Sequence, residues 1–377
     1  MQLPPLGLYV HIPWCVRKCP YCDFNSHAAG DHLPEEAYVE ALLRDFASES
    51  SHLRDRPISS LFIGGGTPSL FSPAALGRLL QGLQQQSRFS DDIEITLEAN
   101  PGTTEHGRFS AYREIGINRL SIGVQSFDDL KLQLLGRIHS AHQAQQAFAE
   151  ARAAGFERIN LDLMFGLPGQ SPAEALADLK QAIALNPDHL SWYQLTIEPN
   201  TEFYSRPPQL PAEEPLWAMQ QQGQALLAEA GLQQYETSAY ARPDQPSRHN
   251  LNYWRFGDFI GIGAGAHGKF SSPEGVITRN WKTRMPSQYL ARDKDFNAGQ
   301  RVLEAGELPL EFMMNALRLN DGVELNLFSE RTGLPLDLIH RPLQQAIEKG
   351  LIHAGERLQP TAQGRLFLNN LLELFLP

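Results

Sequence analysis

The cysteines of this chain are confined to one short stretch, YVHIPWCVRKCPYCDFNSH. Cys15, Cys19 and Cys22 lie there with C-x3-C-x2-C spacing, and the rest of the 377 residues contains no other cysteine. Three neighbouring thiolates suit an iron–sulfur cluster, because soft sulfur ligands favour such clusters and each can hold one iron of a cubane. The fourth iron then stays open, which a reactive metal centre requires and a structural centre does not.

Other uses of three clustered thiols must be weighed. A zinc ion completed by His11 or His27 would employ the same cysteines. A disulfide framework is disfavoured because the cysteine count is odd, and this indicates a reducing compartment. In enzymes that use S-adenosylmethionine (SAM) for radical chemistry, the amino and carboxylate groups of SAM chelate the open iron. We therefore predict a 4Fe–4S cluster with SAM beside it.

The composition is that of an ordinary globular protein, with 42% hydrophobic and 20% charged residues. No apolar run approaches the roughly 18 to 20 residues that a membrane span needs. The N-terminus lacks a basic segment followed by an apolar one, so we predict a cytoplasmic protein. The net charge of −11 disfavours a nucleic-acid partner, since phosphate binding needs clustered Lys and Arg.

Apolar, β-branched segments alternate with amphipathic helical segments at intervals of roughly 25 to 40 residues. The predicted strands span residues 6–12, 58–64, 92–99, 117–124, 158–166 and 189–197. Among the helices, SAHQAQQAFAEARAAG and SPAEALADLKQAIAL each begin with a Ser that can cap free backbone N–H groups. Six βα units predict a parallel sheet curled as a partial barrel, with its chemistry on the loops after the strands.

A glycine run, IGGGTPSL, follows the second predicted strand. Gly64, Gly65 and Gly66 allow a close backbone approach, and we expect their N–H and C=O groups to be free for an ammonium and a carboxylate. Taken alone, such a run also fits a tight turn.

Polar residues end or follow the next strands. Glu98 could accept hydrogen bonds from ribose hydroxyls, or it could be a solvated or helix-capping side chain. Arg137 could pair bidentately with the SAM carboxylate, or lie on the surface. Gln125 ends the fourth strand, and Asp162 lies within an apolar strand, where burial without a partner would be costly.

The composition changes after about residue 205, where the proline-rich connector SRPPQLPAEEP begins. We predict a barrel domain over 1–235, a connecting region over 236–300 and a winged-helix-like domain over 301–377. The last domain carries seven Lys or Arg against ten Asp or Glu, so it is a poor DNA-binding module.

With these motifs, the chain resembles the oxygen-independent coproporphyrinogen III oxidase family of radical SAM proteins over nearly all of its length. The resemblance implies a radical SAM partial (β/α)6 TIM-like barrel with a smaller, mainly helical, winged-helix-like C-terminal domain. It places an aromatic residue of the cysteine loop at Tyr21, and it suggests that the segment GIGAGAHG (261–268) approaches the adenine of SAM. The SAM contacts that it implies are Tyr9, Gly65, Gly66, Thr67, Glu98, Gln125, Arg137 and Asp162.

The segment RHNLNYWRFGDFIGIG contains His249, Asn250, Tyr253 and Trp254. An imidazole can ligate haem iron and flanking aromatic rings can stack on a porphyrin, although a His beside Tyr and Trp is also a common core or surface group. This motif is similar to that of the branch of the family regarded as haem chaperones. That resemblance implies that His249 is the axial ligand and that Tyr253 and Trp254 contact the ring.

Two departures from the oxidases weigh against porphyrinogen oxidation. Phe24 occupies the position of their fourth cysteine, and Cys15 comes without their longer N-terminal extension. The leading hypothesis is therefore a chaperone that transfers haem to acceptor haemoproteins; the resemblance further suggests respiratory acceptors, peripheral membrane association and a homodimer. The alternatives are an enzyme that oxidatively decarboxylates coproporphyrinogen III and an acidic winged-helix regulator. Whether SAM is cleaved or only bound is open.

Overall fold

The computed structural model describes residues 2–30, 32–102 and 108–376. Its centre is a row of six parallel strands whose neighbours in the sheet are also neighbours in the chain. These strands are β1 (Leu6–Ile12), β4 (Ile58–Gly65), β5 (Phe89–Ala99), β6 (Arg119–Gln125), β7 (Arg158–Phe165) and β8 (His189–Gln194). All six predicted strands are confirmed to within a few residues. Because the strands are parallel, their carboxyl ends lie along one rim of the barrel.

Both edges of this half-barrel are extended by strands from later in the chain. The segments β9 (Gln233–Glu236) and β10 (Ala239–Ala241) lie beyond β8. Beyond β1 lie β11 (Asp258–Ile262), β12 (His267–Ser271), β13 (Ile277–Lys282) and β14 (Asn297–Val302). The main sheet therefore crosses the predicted boundary between 235 and 236, because these strands pair with backbone groups that a six-stranded sheet would leave unpaired at its edges.

Helices pack on the outer side of the barrel and also form most of the C-terminal region. The helices before residue 200 are α1 (Glu35–Ser48), α2 (Pro73–Gln86), α3 (Phe109–Glu114), α4 (Asp129–Leu134), α5 (Ala141–Ala153) and α6 (Pro172–Ala184). As predicted, Ser140 and Ser171 cap α5 and α6, each through a capping box with the residue three positions later. The middle helices are α7 (Glu202–Ser205), α8 (Glu213–Glu229), α9 (Arg248–Trp254) and α10 (Pro286–Leu290).

The pleat of β1 separates core residues from site residues. Leu8 and Val10 are fully buried in the main hydrophobic core. Burial of each such side chain contributes about 1.5 to 3 kcal/mol. The alternate residues Gly7, Tyr9 and His11 face the concave side of the sheet. The alternation of one strand thus supplies both the stability of the barrel and its inner surface.

The C-terminal region has a separate hydrophobic core. Its helices are α11 (Leu308–Ala316), α12 (Leu327–Thr332), α13 (Asp337–Glu348), α14 (Ala362–Leu366) and α15 (Leu368–Glu373). Its two strands, β15 (Val323–Glu324) and β16 (Arg357–Leu358), do not follow each other directly but pair across the intervening helices α12 and α13. None of the helices in the described ranges is long and apolar enough to cross a membrane.

Candidate functional site

The cysteine loop follows β1 at the carboxyl rim of the barrel. Two short strands, β2 (Trp14–Cys15) and β3 (His27–Ala28), pair with each other and close the base of the loop. Within it, the N–H of Cys22 donates to the carbonyl of Cys19 over 3.1 Å. The loop therefore holds its thiols over the end of the barrel.

The three thiols differ in their surroundings. Burial raises the pKa of Cys15 and of Cys22, while hydrogen bonds from Thr67 and Ser26 act in the opposite direction. The guanidinium of Arg137 donates to the Sγ of Cys19 over 3.6 Å. Across the described ranges, no three His, Cys, Asp or Glu side chains converge closely enough to hold one metal ion. A zinc ion would need its thiolates about 4 Å apart, whereas a cubane binds them through different irons.

The barrel interior below this loop is a cavity of about 510 Å³. It brings together ten of the residues that the sequence assigned to the cluster and to SAM: Cys15, Cys19, Cys22, Gly65, Gly66, Thr67, Glu98, Gln125, Arg137 and Asp162. Tyr21 also lines it, and so do Asn250, Glu236 and Arg318 at the far end. Tyr9 does not line this cavity; its ring lines a second one, and its hydroxyl lies 2.8 Å from Nδ1 of His11.

The glycine run was expected to keep its backbone N–H groups free for a ligand, and the structure contradicts this expectation. Its N–H groups are not free, because Gly65 donates to Oε2 of Glu98 over 3.0 Å and Gly66 donates to the carbonyl of Ile12 over 2.8 Å. A Cβ on Gly66 would lie 2.5 Å from the carbonyl oxygen of Trp14. Glycine is needed there because the backbone of the cysteine loop passes directly over the run.

Glu98 lies at the end of β5 with its carboxyl in the cavity. The pKa of Glu98 is raised to about 8, mainly by burial and also by the nearby carboxyl of Asp162, while the hydrogen bond from the N–H of Gly65 partly offsets both effects. At neutral pH the carboxyl is therefore mostly protonated in this structure. A hydroxyl or cationic ligand would favour the ionised carboxylate, which is the stronger hydrogen-bond acceptor.

Arg137 connects the cluster loop to the barrel. Its Nη2 donates to Oδ1 of Asn100 over 2.6 Å and to the carbonyl of Gly123 over 2.8 Å. Its buried Nε has no hydrogen-bond acceptor among the described residues. Asn100 also donates to Oγ1 of Thr67 over 2.9 Å. The sequence reasoning missed Asn100, although it is a polar residue directly after the strand that carries Glu98.

Two further polar residues are fixed inside the barrel. Asp162 has the partners that its position required, since it accepts hydrogen bonds from Ser121 over 3.0 Å and from Asn160 over 2.7 Å. Gln125 has a φ of 68°, a costly backbone conformation for a residue other than glycine. Its Oε1 accepts a hydrogen bond from the hydroxyl of Tyr193 over 3.0 Å. Tyr193, which also lines the cavity, had not been assigned from the sequence.

The residues of the proposed haem motif are divided between two environments. Tyr253 and Trp254 line the second cavity, whose volume is about 720 Å³. His249 lines neither cavity and is only 1% exposed. Its Nδ1 lies 2.9 Å from Oγ of Ser60, and its Nε2 lies 2.9 Å from the hydroxyl of Tyr253. Both nitrogens of the predicted axial ligand are thus engaged inside the protein.

The segment 261–268, which was expected near the adenine of SAM, borders this second cavity. Gly265, Ala266 and His267 line it, and the N–H of Gly263 is bonded to Asp45. The second cavity adjoins the first at Phe24, which lines both and is 61% exposed.

The barrel cavity fits an iron–sulfur cluster with SAM beside it. Three thiols lie on one rim, and Arg137 presents an unpaired buried N–H in the same cavity. When bound, a cluster of this kind supplies electrons for reductive cleavage of SAM. The chain itself supplies the thiolates of Cys15, Cys19 and Cys22 and a cavity lined by polar side chains.

Comparison with known proteins gives first the class and then the family. Residues 9–182 match the family model of the radical SAM superfamily, and residues 303–367 match that of the HemN C-terminal domain. The solved structure of coproporphyrinogen III oxidase (HemN) from Escherichia coli, described as a radical SAM enzyme, superposes with a TM-score of 0.84 at 26% identity. The superposition covers 99% of this chain and 90% of that one. The predicted class, a radical SAM partial barrel with a C-terminal domain, is confirmed.

Curated relatives define the branch. The chain is 53% identical over 377 residues to "Heme chaperone HemW" of Escherichia coli strain K12, covering 100% of this chain and 99% of the relative. It is 51% identical over 380 residues to the protein of the same name from Haemophilus influenzae, again covering 100% and 99%. The chain belongs to the HemW family of radical SAM proteins. Membership of the superfamily implies a 4Fe–4S cluster and SAM as its cofactors.

Proposed function

We propose that this protein is a haem chaperone, which binds haem and transfers it to acceptor haemoproteins. The observation that carries the proposal is 53% identity, along the whole chain, to a protein named as a haem chaperone. The second cavity supports it independently, because about 720 Å³ lined by aromatic and basic side chains suits a flat, apolar ligand with carboxylate groups.

The cluster and SAM accompany the haem function in this proposal. We assign SAM binding to the residues of the first cavity. Arg137 would pair with the carboxylate of SAM, and Glu98 would accept hydrogen bonds from its ribose hydroxyls. Phe24 supports a link between the two functions, since a single exposed ring borders both cavities. A ligand in either cavity would contact this ring, so occupancy of one site can influence the other.

Finer features of the proposal concern the cellular setting. We propose that the protein acts in the cytoplasm, where a reducing environment preserves its three thiols. Respiratory haemoproteins are the proposed acceptors, and peripheral membrane contact would bring the chaperone to them. A homodimer is a further proposal. Cell fractionation tests the location and the membrane contact, and measurement of mass in solution tests the dimer.

Haem transfer is tested with the full-length protein, reconstituted anaerobically and loaded with ferric protoporphyrin IX. The loaded protein is mixed with an apo-b-type haem subunit, and the acceptor spectrum is followed over time. A chaperone transfers haem at a rate that rises with acceptor concentration and exceeds spontaneous haem loss, measured with excess apomyoglobin as scavenger. Equal rates in the two experiments would show only passive release and contradict the proposal.

Porphyrinogen oxidation is the second candidate, favoured by the superposition on coproporphyrinogen III oxidase. Against it, the resemblance to those oxidases implies a fourth cysteine at the position where this chain has Phe24. The deciding assay is anaerobic incubation with SAM, a reductant and coproporphyrinogen III. We expect no catalytic formation of protoporphyrinogen; product accumulating over many turnovers would replace the chaperone proposal with an enzyme.

A further inference from the structure

The second cavity lies over the part of the sheet that extends beyond β1. In the β12–β13 pair, His267 lies opposite Trp281, and Lys269 lies opposite Arg279. Side chains directly opposite each other share one face of an antiparallel pair, so these four project together. Phe259 joins them from β11, where it lies opposite Lys269. All five line the cavity.

One wall of the cavity is aromatic. The ring of Trp281 lies over β14 at Gly299, where an added Cβ would be 2.4 Å from the indole. Glycine there lets the indole lie close against the neighbouring strand. Tyr253 and Phe259 pack edge to face, with ring centroids 4.6 Å apart, and contribute a further aromatic surface. Such rings suit the face of a porphyrin.

His267 has the properties of an available metal ligand. Its side chain is exposed to the cavity, and the described residues provide no hydrogen bond to either ring nitrogen. Burial lowers its pKa, and so do the positive charges of Arg279 and Arg284, and this lowering favours the neutral imidazole that can ligate a metal. The other histidine of the cavity, His11, is already engaged, with Tyr9 on Nδ1 and the carbonyl of Asn25 on Nε2.

Two guanidinium groups lie near this imidazole. Arg284 follows β13 and is exposed at the cavity edge. Arg279 is half-buried and forms an ion pair with Glu311 over 2.6 Å, which fixes its orientation and leaves other N–H groups available. Guanidinium groups bind carboxylates in bidentate fashion, as the two propionates of haem require.

We propose that haem binds in this second cavity with His267 as an axial ligand of its iron and with Arg279 and Arg284 on its propionates. This inference deepens the proposed chaperone function and rests on it. It assigns the iron to an imidazole that is accessible without rearrangement. Ligation by His249 would instead require the hydrogen bonds with Ser60 and Tyr253 to break.

The test is titration of the full-length protein and its variants with ferric protoporphyrin IX, followed by absorption in the Soret region and by electron paramagnetic resonance. His267→Ala is expected to lose the imidazole-ligated spectrum and to raise the dissociation constant at least about tenfold. Free imidazole should restore the spectrum in His267→Gly. His267→Met, which keeps a ligand of another kind, should shift the spectrum without emptying the site. His142→Ala, an exposed histidine on α5, is the matched control.

The propionate contacts are tested separately. Replacement of both Arg279 and Arg284 by Gln should weaken binding of protoporphyrin IX at least about tenfold, with little effect on its dimethyl ester, which has no carboxylates. An unchanged spectrum in His267→Ala would overturn the assignment. Absence of saturable haem binding in the unmodified protein would instead refute the chaperone function itself.

Discussion

Nε2 of His249 lies 2.9 Å from the hydroxyl of Tyr253, and this hydrogen bond marks the border between the barrel interior and the second cavity. On the inner side, His249 packs against Phe62, with ring centroids 5.3 Å apart, and contacts Ser60. On the outer side, the ring of Tyr253 lines the cavity. The histidine of the motif thus fixes α9 in the barrel while its tyrosine is presented to a ligand.

His249→Ala should therefore destabilise the protein. The substitution leaves the hydroxyls of Ser60 and Tyr253 without their partner and opens space in a buried site, so the free energy of unfolding should fall by about 2 to 4 kcal/mol. Urea denaturation followed by circular dichroism measures this. The exposed His142→Ala should change it by less than about 0.5 kcal/mol. Equal effects of the two substitutions would contradict a structural role for His249.

Gly66→Ala should impair cluster assembly. Its new Cβ would lie 2.5 Å from the carbonyl oxygen of Trp14, so the cysteine loop must move away from the barrel. After anaerobic reconstitution we expect iron and sulfide contents of roughly half those of the unmodified protein or less, because overpacking displaces the backbone. Gly306→Ala serves as control, since a Cβ there meets no atom within 4 Å. Full cluster content in Gly66→Ala would show that the close approach is not required.

Arg137→Met should separate SAM binding from cluster assembly. The substitution keeps the aliphatic stem but removes the donors that reach Asn100, Gly123 and Cys19. We expect SAM affinity to fall at least about tenfold, because a bidentate charged donor is lost. The paramagnetic signal of the reduced cluster should then no longer respond to SAM concentrations that saturate the unmodified protein.

The matched control for this substitution is Arg206→Met, on an exposed residue after α7. It should retain the response to SAM. If Arg137→Met binds SAM with normal affinity, the guanidinium does not contact SAM, and its only role is to hold the cysteine loop against the barrel.

Glu98 should make the free energy of unfolding depend on pH. Its pKa is about 8 in the folded protein against the ordinary value of 4.5, so between these values the folded state holds a proton that the unfolded chain has lost. Relative to Glu98→Gln, the free energy of unfolding should decrease as the pH rises from about 4.5 to about 8 and should level off above that. The carboxyl lines a cavity open to solvent, so we expect a difference on the order of 1 to 3 kcal/mol.

Urea titrations of both proteins at several pH values measure this difference. Glu202→Gln, at an exposed position in α7, should leave the pH dependence of the unmodified protein in place. Parallel pH curves for the Glu98→Gln and unmodified proteins would mean that the carboxyl ionises at its ordinary pKa.

Much of the first cavity was predictable because parallel strands bring their carboxyl ends to one rim. The chain order of β1, β4, β5 and β6 is also their order in the sheet, so residues that follow them in sequence meet in space. Asn100 and Tyr193 were missed, since neither position has a pattern that distinguishes a bridging polar group from an ordinary loop or strand residue. The engagement of the glycine N–H groups also depends on contacts, here with Glu98 and Ile12, that only folding creates.

The sequence by itself determined the cofactor chemistry and the barrel, because thiol spacing is local and the alternation of strands and helices follows from hydrophobic periodicity. It could not decide the surroundings of His249, or bring His267, Arg279 and Tyr253 to one cavity. The second cavity is built from β1, α9 and the strands β11 to β13, and β1 precedes the other elements by more than 200 positions along the chain. Which side chains meet there depends on strand pairing and burial across the whole sheet, and those are properties of the tertiary structure alone.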